Sequence, residues 1–270
     1  MTRMPAPAVP VAIAQFAPSA DSEANARQID RMVDVAADRG ASLVVFPEYS
    51  SYFVDPFDQT LARHAQPVDG PFIAALQQSA QRTGTVVVAG LIETATNPAK
   101  VRNAVVAVGS EGVLAVYRKL HLYDAFGQRE SDWVEAGELV PPQTFDVGGL
   151  RWGLMTCYDL RFPELYRALA ERGAHIVTVP AAFAMKTGKD HWELLLRARA
   201  VENQVFILAA AQIGGKPDGS TCYGRSMIID PWGTVLAQAH DSETIIMAEI
   251  DMDHMTRIRH TLPVLESRRL

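Results

Sequence analysis

Residues 150–180 read LRWGLMTCYDLRFPELYRALAERGAHIVTVP, and their order of elements decides the fold class. LRWGLMT (150–156) is an apolar run of strand length. PELYRALAERG (163–173) carries Pro163 at its start and Gly173 at its end, where proline opens and glycine closes a helix. HIVTVP (175–180) returns to a β-branched strand. Helices that interleave with strands in this way indicate α/β rather than α+β. The alternation extends in both directions. Upstream, VAIAQFA (11–17) reads as a strand. The helix over 21–39 is capped by Asp21 or Ser22, shares Ile29, Met32, Val33 and Ala36 on one face, and ends at Gly40. ASLVVF (41–46) is apolar without alternation, so it is expected to be buried on both faces. A helix over 71–83 opens on Pro71, and TVVVAGLIE (85–93) is another buried strand. NAVVAVG (103–109) and GVLAVYRK (112–119) pair through a hairpin turn at Ser110, Glu111 and Gly112. Downstream lie a helix around 190–202, the strand VFILAAAQ (205–212), three strands at 226–230, 234–239 and 244–250, a short helix at 251–259 and an extended tail. Asp230 to Gly233 form the turn between the first two of those strands.

No linker, repeat or low-complexity run divides the 270 residues, so residues 1–270 read as one α/β domain. Two arrangements would bury these strands: two stacked sheets with helices outside, or one doubly wound sheet. The net charge of −6 argues against a nucleic-acid protein, which needs a basic face for backbone phosphates. It does not exclude an anionic substrate, because one local arginine can hold a carboxylate. Two cysteines, Cys157 and Cys222, cannot make a disulfide framework, and they favour a reducing compartment. Pro5, Pro7 and Pro10 interrupt the first apolar stretch, which resembles neither a signal peptide nor an anchor. No run approaches the roughly 18 apolar residues of a membrane span. A cytoplasmic location is expected, with no membrane partner.

Cys157 closes the strand LRWGLMT and precedes a helix, a place from which a thiol points out of the sheet edge toward substrate. The nearby helix N-terminus is expected to favour the thiolate. Glu48 follows the strand LVVF, and Lys119 ends the strand VLAVYRK. Taken singly, these are a structural cysteine, a loop acid and a surface lysine. Taken together, all three lie at carboxyl ends of apolar strands, where open α/β sheets bind ligands. An acid, a cation and a thiol gathered there supply a base, an electrostatic stabiliser and a nucleophile.

The segments FPEYS (46–50), YRKLHLYD (117–124) and CYDLRFPEL (157–165) resemble, in order, the three signature regions of the nitrilase superfamily of carbon–nitrogen hydrolases. The resemblance continues through HWELLLRARAVENQ (191–204), AAAQ (209–212), YGRSMIIDPWGTV (223–235) and TLPV (261–264). The later segments look most like the branch of deaminated glutathione amidases and omega-amidases. The resemblance implies a four-layer α-β-β-α sandwich of two mixed sheets, homodimeric through a helical layer. It makes Cys157 the nucleophile, Glu48 the general base and Lys119 the cation beside the oxyanion. It also implies a second glutamate in the loop after the lysine; Glu130 and Glu135 compete, and Glu130 fits the family's Glu-Ser pair better.

The implied reaction is amide hydrolysis through a thioester, with the N–H of Tyr158 as a second oxyanion donor and no metal or other cofactor. An omega-amide of a dicarboxylic acid, such as deaminated glutathione or alpha-ketoglutaramate, needs a cation for its distal carboxylate. Arg161 is the first candidate, against an ion pair with Asp159 or Glu164. Lys186 and Thr187, read as part of the loop before the next helix, are weaker ones; Phe183 can form an apolar wall and His191 can touch substrate. Three other readings stand beside this one. A nitrilase or N-carbamoyl amidohydrolase would use the same three groups. A Cys–His hydrolase would use His121, His175 or His191. A binding module would keep the fold without the activity.

Overall fold

The structure is a computed structural model that describes residues 8–215 and 221–269. Its first half runs β1 (Val9–Gln15), α1 (Ser22–Asp38), β2 (Leu43–Val45), α2 (Thr60–His64), α3 (Pro71–Thr83), β3 (Val86–Thr94), β4 (Val101–Gly109) and β5 (Gly112–Arg118). The second half runs β6 (Thr144–Val147), β7 (Leu150–Leu154), α4 (Pro163–Glu171), β8 (Ile176–Thr178), α5 (Met185–Asn203), β9 (Phe206–Ala209), β10 (Met227–Ile229), β11 (Val235–Gln238), β12 (Thr244–Ile250) and α6 (Met252–Thr261).

The strands form two six-stranded mixed sheets, ordered β12-β1-β2-β3-β4-β5 and β11-β10-β9-β8-β7-β6. In the first sheet β1, β2 and β3 are parallel, joined by crossovers containing α1 and α3, and β4 and β5 continue as antiparallel hairpin strands. The second sheet repeats the scheme: β7, β8 and β9 are parallel, with α4 and α5 as crossovers, followed by antiparallel β10 and β11. Side chains alternate across a strand, so each inner strand serves two cores. Val11, Ile13, Leu43, Val45, Val86 and Val88 meet Trp152 and Leu154 of the other sheet in one buried cluster. Ala12, Ala14, Val44, Val87 and Ala89, on the opposite face, pack on Ile29, Met32 and Val33 of α1 and Phe72, Ile73 and Leu76 of α3. This accounts for the continuous apolar runs, and it selects the four-layer sandwich over a single doubly wound sheet.

Local signals set most boundaries. The Asp21 side chain accepts from the Ala24 N–H and caps α1, while α3 opens on Pro71 and closes on Gly84 at φ 73°. The structure differs from expectation at α5, which starts at Met185 rather than near residue 190. Ala184 offers no capping side chain there. Gly188, an unfavourable helix residue, is retained because a Cβ at that position would lie 2.4 Å from the Tyr223 ring. Lys186 and Thr187 therefore sit in the first turn of a helix, not in a loop. Among the described residues no helix is long and apolar enough to cross a membrane.

Candidate active site

The carboxyl ends of β2, β5 and β7 converge, and each delivers one reactive side chain. After β2 the chain turns across β3: the Gly90 N–H donates to Pro47 O at 3.1 Å and the Ser51 N–H donates to Gly90 O at 3.0 Å. The crossing is so close that a Cβ at Gly90 would lie 2.4 Å from Tyr49 N and 2.7 Å from the carbonyl carbon of Glu48. Only glycine lets Glu48 reach its place. Its carbonyl is held further by the Gln212 side chain, whose Nε2 donates at 2.8 Å. Lys119 follows β5, with its backbone N–H donating to Asn103 O at 2.8 Å.

Cys157 follows β7 in a left-handed conformation, φ 47°, that a non-glycine residue adopts at a cost of roughly 1–3 kcal/mol. The surroundings impose it. The Cys157 N–H and the Thr156 hydroxyl both donate to Pro180 O beyond β8, at 2.9 and 2.8 Å. Thr156 and Asp159 cap the 3₁₀ turn Cys157–Arg161 reciprocally. The fully buried Asp159 also accepts from the Tyr117 hydroxyl at 2.7 Å and lies 2.7 Å from His121 Nδ1, tying this turn to the end of β5. The His121 ring is also stacked on Phe162.

Four charged or reactive groups meet here. Lys119 Nζ donates to Glu48 Oε1 at 2.9 Å and lies 2.9 Å from Glu130 Oε2. Glu130, Glu48 and Lys119 are only 5%, 1% and 2% exposed. Glu135, the rival acid, pairs instead with Arg102 at 2.6 Å. Glu130 is further bound by the Tyr49 hydroxyl at 2.6 Å and the Tyr123 N–H at 2.6 Å. Burial opposes its ionisation, but Lys119 and these donors outweigh that and hold its carboxyl below the usual range. Burial likewise opposes the Lys119 charge, and Glu130 and Glu48 overcome it, raising the ammonium well above the ordinary lysine value. Burial, together with the Glu48 charge, pushes the pKa of the Cys157 thiol well up despite Lys119. This corrects the expectation of a stabilised thiolate. The element after Cys157 is a short 3₁₀ turn rather than a helix, and the negative charge of Glu48 outweighs the positive charge of Lys119 at the sulfur, which favours the neutral thiol.

These groups open onto a cavity of about 280 Å³. Glu48, Lys119, Glu130 and Cys157 line it together with Tyr158, Arg161, Phe183 and Thr187. Aromatic rings of Tyr49, Phe53, Phe57, Tyr123 and Trp133 form much of the remaining wall. Arg161 makes no ion pair with Asp159 or Glu164 among the described residues; its guanidinium lies over the Phe183 ring at 5.3 Å and its Nη1 is 3.3 Å from His191 Nδ1. His191 and Lys186 are not among the lining residues, and the Lys186 ammonium sits over the Phe126 ring at 4.4 Å. No histidine is among the lining residues either, and His175 instead accepts the Arg151 N–H at 2.9 Å. Four contributors escaped the sequence reading: Asn103, Tyr49, Gln212 and the Ala182 N–H, which donates to Glu48 Oε2 at 2.8 Å.

The family model described as "Carbon-nitrogen hydrolase" matches residues 10–260. A deaminated glutathione amidase of Mus musculus is 37% identical over 270 residues, covering 96% of this chain and 83% of that protein. One from Escherichia coli O157:H7 is 38% identical over 261 residues, covering 96% and 97%. Among solved structures, Saccharomyces cerevisiae Nit3, described as a member of branch 10 of the nitrilase superfamily, superimposes with a TM-score of 0.87 at 28% identity, covering 100% of this chain and 99% of Nit3.

Proposed function

This chain belongs to the carbon–nitrogen hydrolase family, and we propose that it is an amidase for omega-amides of dicarboxylic acids, with deaminated glutathione and alpha-ketoglutaramate as the substrate types. One observation carries the reading: a single aromatic-walled cavity holds the thiol, its base, a buried ammonium and, without an anionic partner among the described residues, the Arg161 guanidinium. The names of the amidase relatives point the same way.

In the reaction, Glu48 accepts the thiol proton as the Cys157 sulfur attacks the amide carbon. The carbonyl oxygen becomes an oxyanion. An ammonium has three N–H groups; Lys119 commits two, to Glu48 and Glu130, and the third meets the oxyanion together with the Tyr158 N–H. Glu48 then gives its proton to the departing nitrogen, the C–N bond breaks, and a thioester remains. The leaving group is ammonia from a primary amide and an amine from a substituted one. Glu48 next deprotonates a water that attacks the thioester, and the collapse returns the thiol proton to Cys157 and releases the carboxylate. Glu130 stays ionised, anchoring Lys119.

Arg161 is assigned to the distal carboxylate, with Phe183 and Thr187 beside it. His191 orients Arg161 from outside the lining, and Lys186 remains a peripheral cation. Arg161→Ala should raise KM for an anionic omega-amide by about 10-fold or more while leaving KM for a neutral aliphatic amide nearly unchanged. Equal losses on both would remove Arg161 from substrate recognition. Hydrolysis of either named substrate type yields 2-oxoglutarate, so one enzymatic assay for that product, run beside simple amides and nitriles, tests the function. Turnover of nitriles but not of omega-amides would overturn it.

Val201 of α5 lies against Gly233 in the β10–β11 turn, where Trp232 is 59% exposed, and Leu194, seven residues earlier on α5, is also exposed. We assign this face to a homodimer interface, as an unburied aromatic anchor suggests. Light scattering should give a dimer for the parent and a monomer for Leu194→Asp/Trp232→Asp; an unchanged mass would place the interface elsewhere. We propose a cytoplasmic setting, since two cysteines in the sequence favour a reducing compartment.

A further inference from the structure

Lys119 is not the sole donor shared by the two buried carboxylates. Asn103, on β4, is fully buried, and its Nδ2 donates to Glu48 Oε1 at 2.7 Å and to Glu130 Oε1 at 3.3 Å. Its backbone oxygen accepts the N–H of Lys119 at 2.8 Å. One residue therefore touches the base, the second glutamate and the backbone of the lysine. The other half of its amide is left without a partner: Oδ1 is buried and makes no hydrogen bond among the described residues. A buried acceptor left unmet is destabilising. Turning the amide over would not help, since it would set the carbonyl oxygen against two carboxylates. The orientation is dictated by the anions, at the expense of the oxygen.

We infer that Asn103 is a positioning residue that keeps Glu48 ionised as a base and fixes Lys119 relative to it. The inference rests on the reading of Glu48 as the base. The titratable groups facing Glu48 are Lys119 from the end of β5, Cys157 from the turn after β7, Glu130 from the loop after β5 and Tyr49 from its own turn. Two carboxylates against one ammonium leave an excess negative charge beside a thiol that must be deprotonated. A second cation would quench the base by over-stabilising its anion. A neutral amide donates a hydrogen bond to each carboxylate without adding charge, and it has no proton to lose in the working range.

The test follows the pH dependence of kcat/KM and of Cys157 alkylation by iodoacetamide in the parent, Asn103→Leu, Asn103→Asp and Glu48→Gln. Without the amide donor, the Glu48 carboxylate loses a charge-assisted hydrogen bond and is a less stable anion. Asn103→Leu should lower kcat/KM by about 10- to 100-fold at neutral pH and move the acid limb of both profiles up by about one pH unit. The loss should fall on kcat more than KM. Asn103→Asp places a third carboxylate in the cluster. It should be nearly inactive at neutral pH and regain part of its rate on acidification, when a protonated carboxyl can donate as the amide did. Thermal melting identifies folded variants, and Asn103→Ala carries the same comparison should Asn103→Leu fail to fold. A folded Asn103 variant whose rate drops equally at every pH, with both limbs at parental positions, overturns the inference. Parental alkylation and turnover in Glu48→Gln would instead remove Glu48 as the base, a different and separately visible result.

Discussion

Replacing Cys157 by alanine is expected to lower kcat for amide hydrolysis by roughly 10³-fold or more while leaving the fold and the substrate affinity nearly intact. Among the described residues the Cys157 sulfur is the one thiol on the cavity wall, where Glu48 is the proposed base; Cys222 is buried elsewhere with its Sγ 3.7 Å from Gln212 Oε1. No covalent intermediate can form without it, and direct attack by water would lack the activated proton transfer that the thiol enjoys. Stability should change little, because alanine meets the same left-handed backbone as cysteine and removes one desolvated polar group. Cys157→Ser is the more demanding test, since it keeps an O–H in nearly the same place. The Glu48 carboxylate must then deprotonate an alcohol, far more weakly acidic than a thiol, and the step should fail almost as completely. Stopped reactions of the parent analysed by intact mass should show the acyl adduct on Cys157, and neither variant should. Product release at the parental rate by either one would refute thioester catalysis in this cavity.

The sequence reading succeeds where a local signal and a tertiary role coincide. Pro71 opens α3, Asp21 caps α1, and unbroken apolar runs mark strands with two cores to serve. Glu48, Lys119 and Cys157, which the structure brings together, are visible for a related reason: each puts charge or reactivity at the end of an apolar run of sequence. The misses have physical causes too. α2 and β6 span only five and four residues, too short for a periodic pattern. The N-terminal part of α5 is sustained by packing around Gly188 rather than by propensity. Glu130 stands 11 residues from Lys119 in a polar loop, and only the Glu-Ser pair of the family resemblance, not any local physical signal, prefers it to Glu135. Asn103 opens what reads as an ordinary strand, NAVVAVG. An asparagine fully buried in a β-strand is uncommon, and that mismatch with propensity was the available signal. The Ala182 N–H leaves no trace in any side-chain pattern.

Lys119→Met should be the most damaging single change to stability in the site. Its ammonium is 2% exposed, and it is the shared counter-ion of two carboxylates that are themselves 1% and 5% exposed. Removing one partner of a buried ion pair costs about 3–5 kcal/mol, because the remaining charge is left without compensation. Here two anions remain, so a drop in Tm on the order of 10 °C is expected at neutral pH. The pH dependence identifies the cause. In the parent, Glu130 is held below the usual carboxylate range, so its contribution is present above that range and lost as pH falls through its own lowered value. Lys119 is held above its usual value, so its contribution persists at neutral pH and disappears only under strongly alkaline conditions. In the variant, acidification should narrow the gap to the parent, because a proton bound between Glu48 and Glu130 can take over the missing positive charge. Catalysis should not recover with it. The oxyanion has lost its cationic donor, worth about 10²–10³ in kcat, and a protonated Glu48 is no longer a base. Lys119→Arg should not restore activity, since the planar guanidinium cannot occupy the compact tetrahedral site between the two acids. A folded Lys119→Met protein whose Tm deficit is the same at pH 5 and pH 8 would mean that the lysine supports the site through packing and not through its charge.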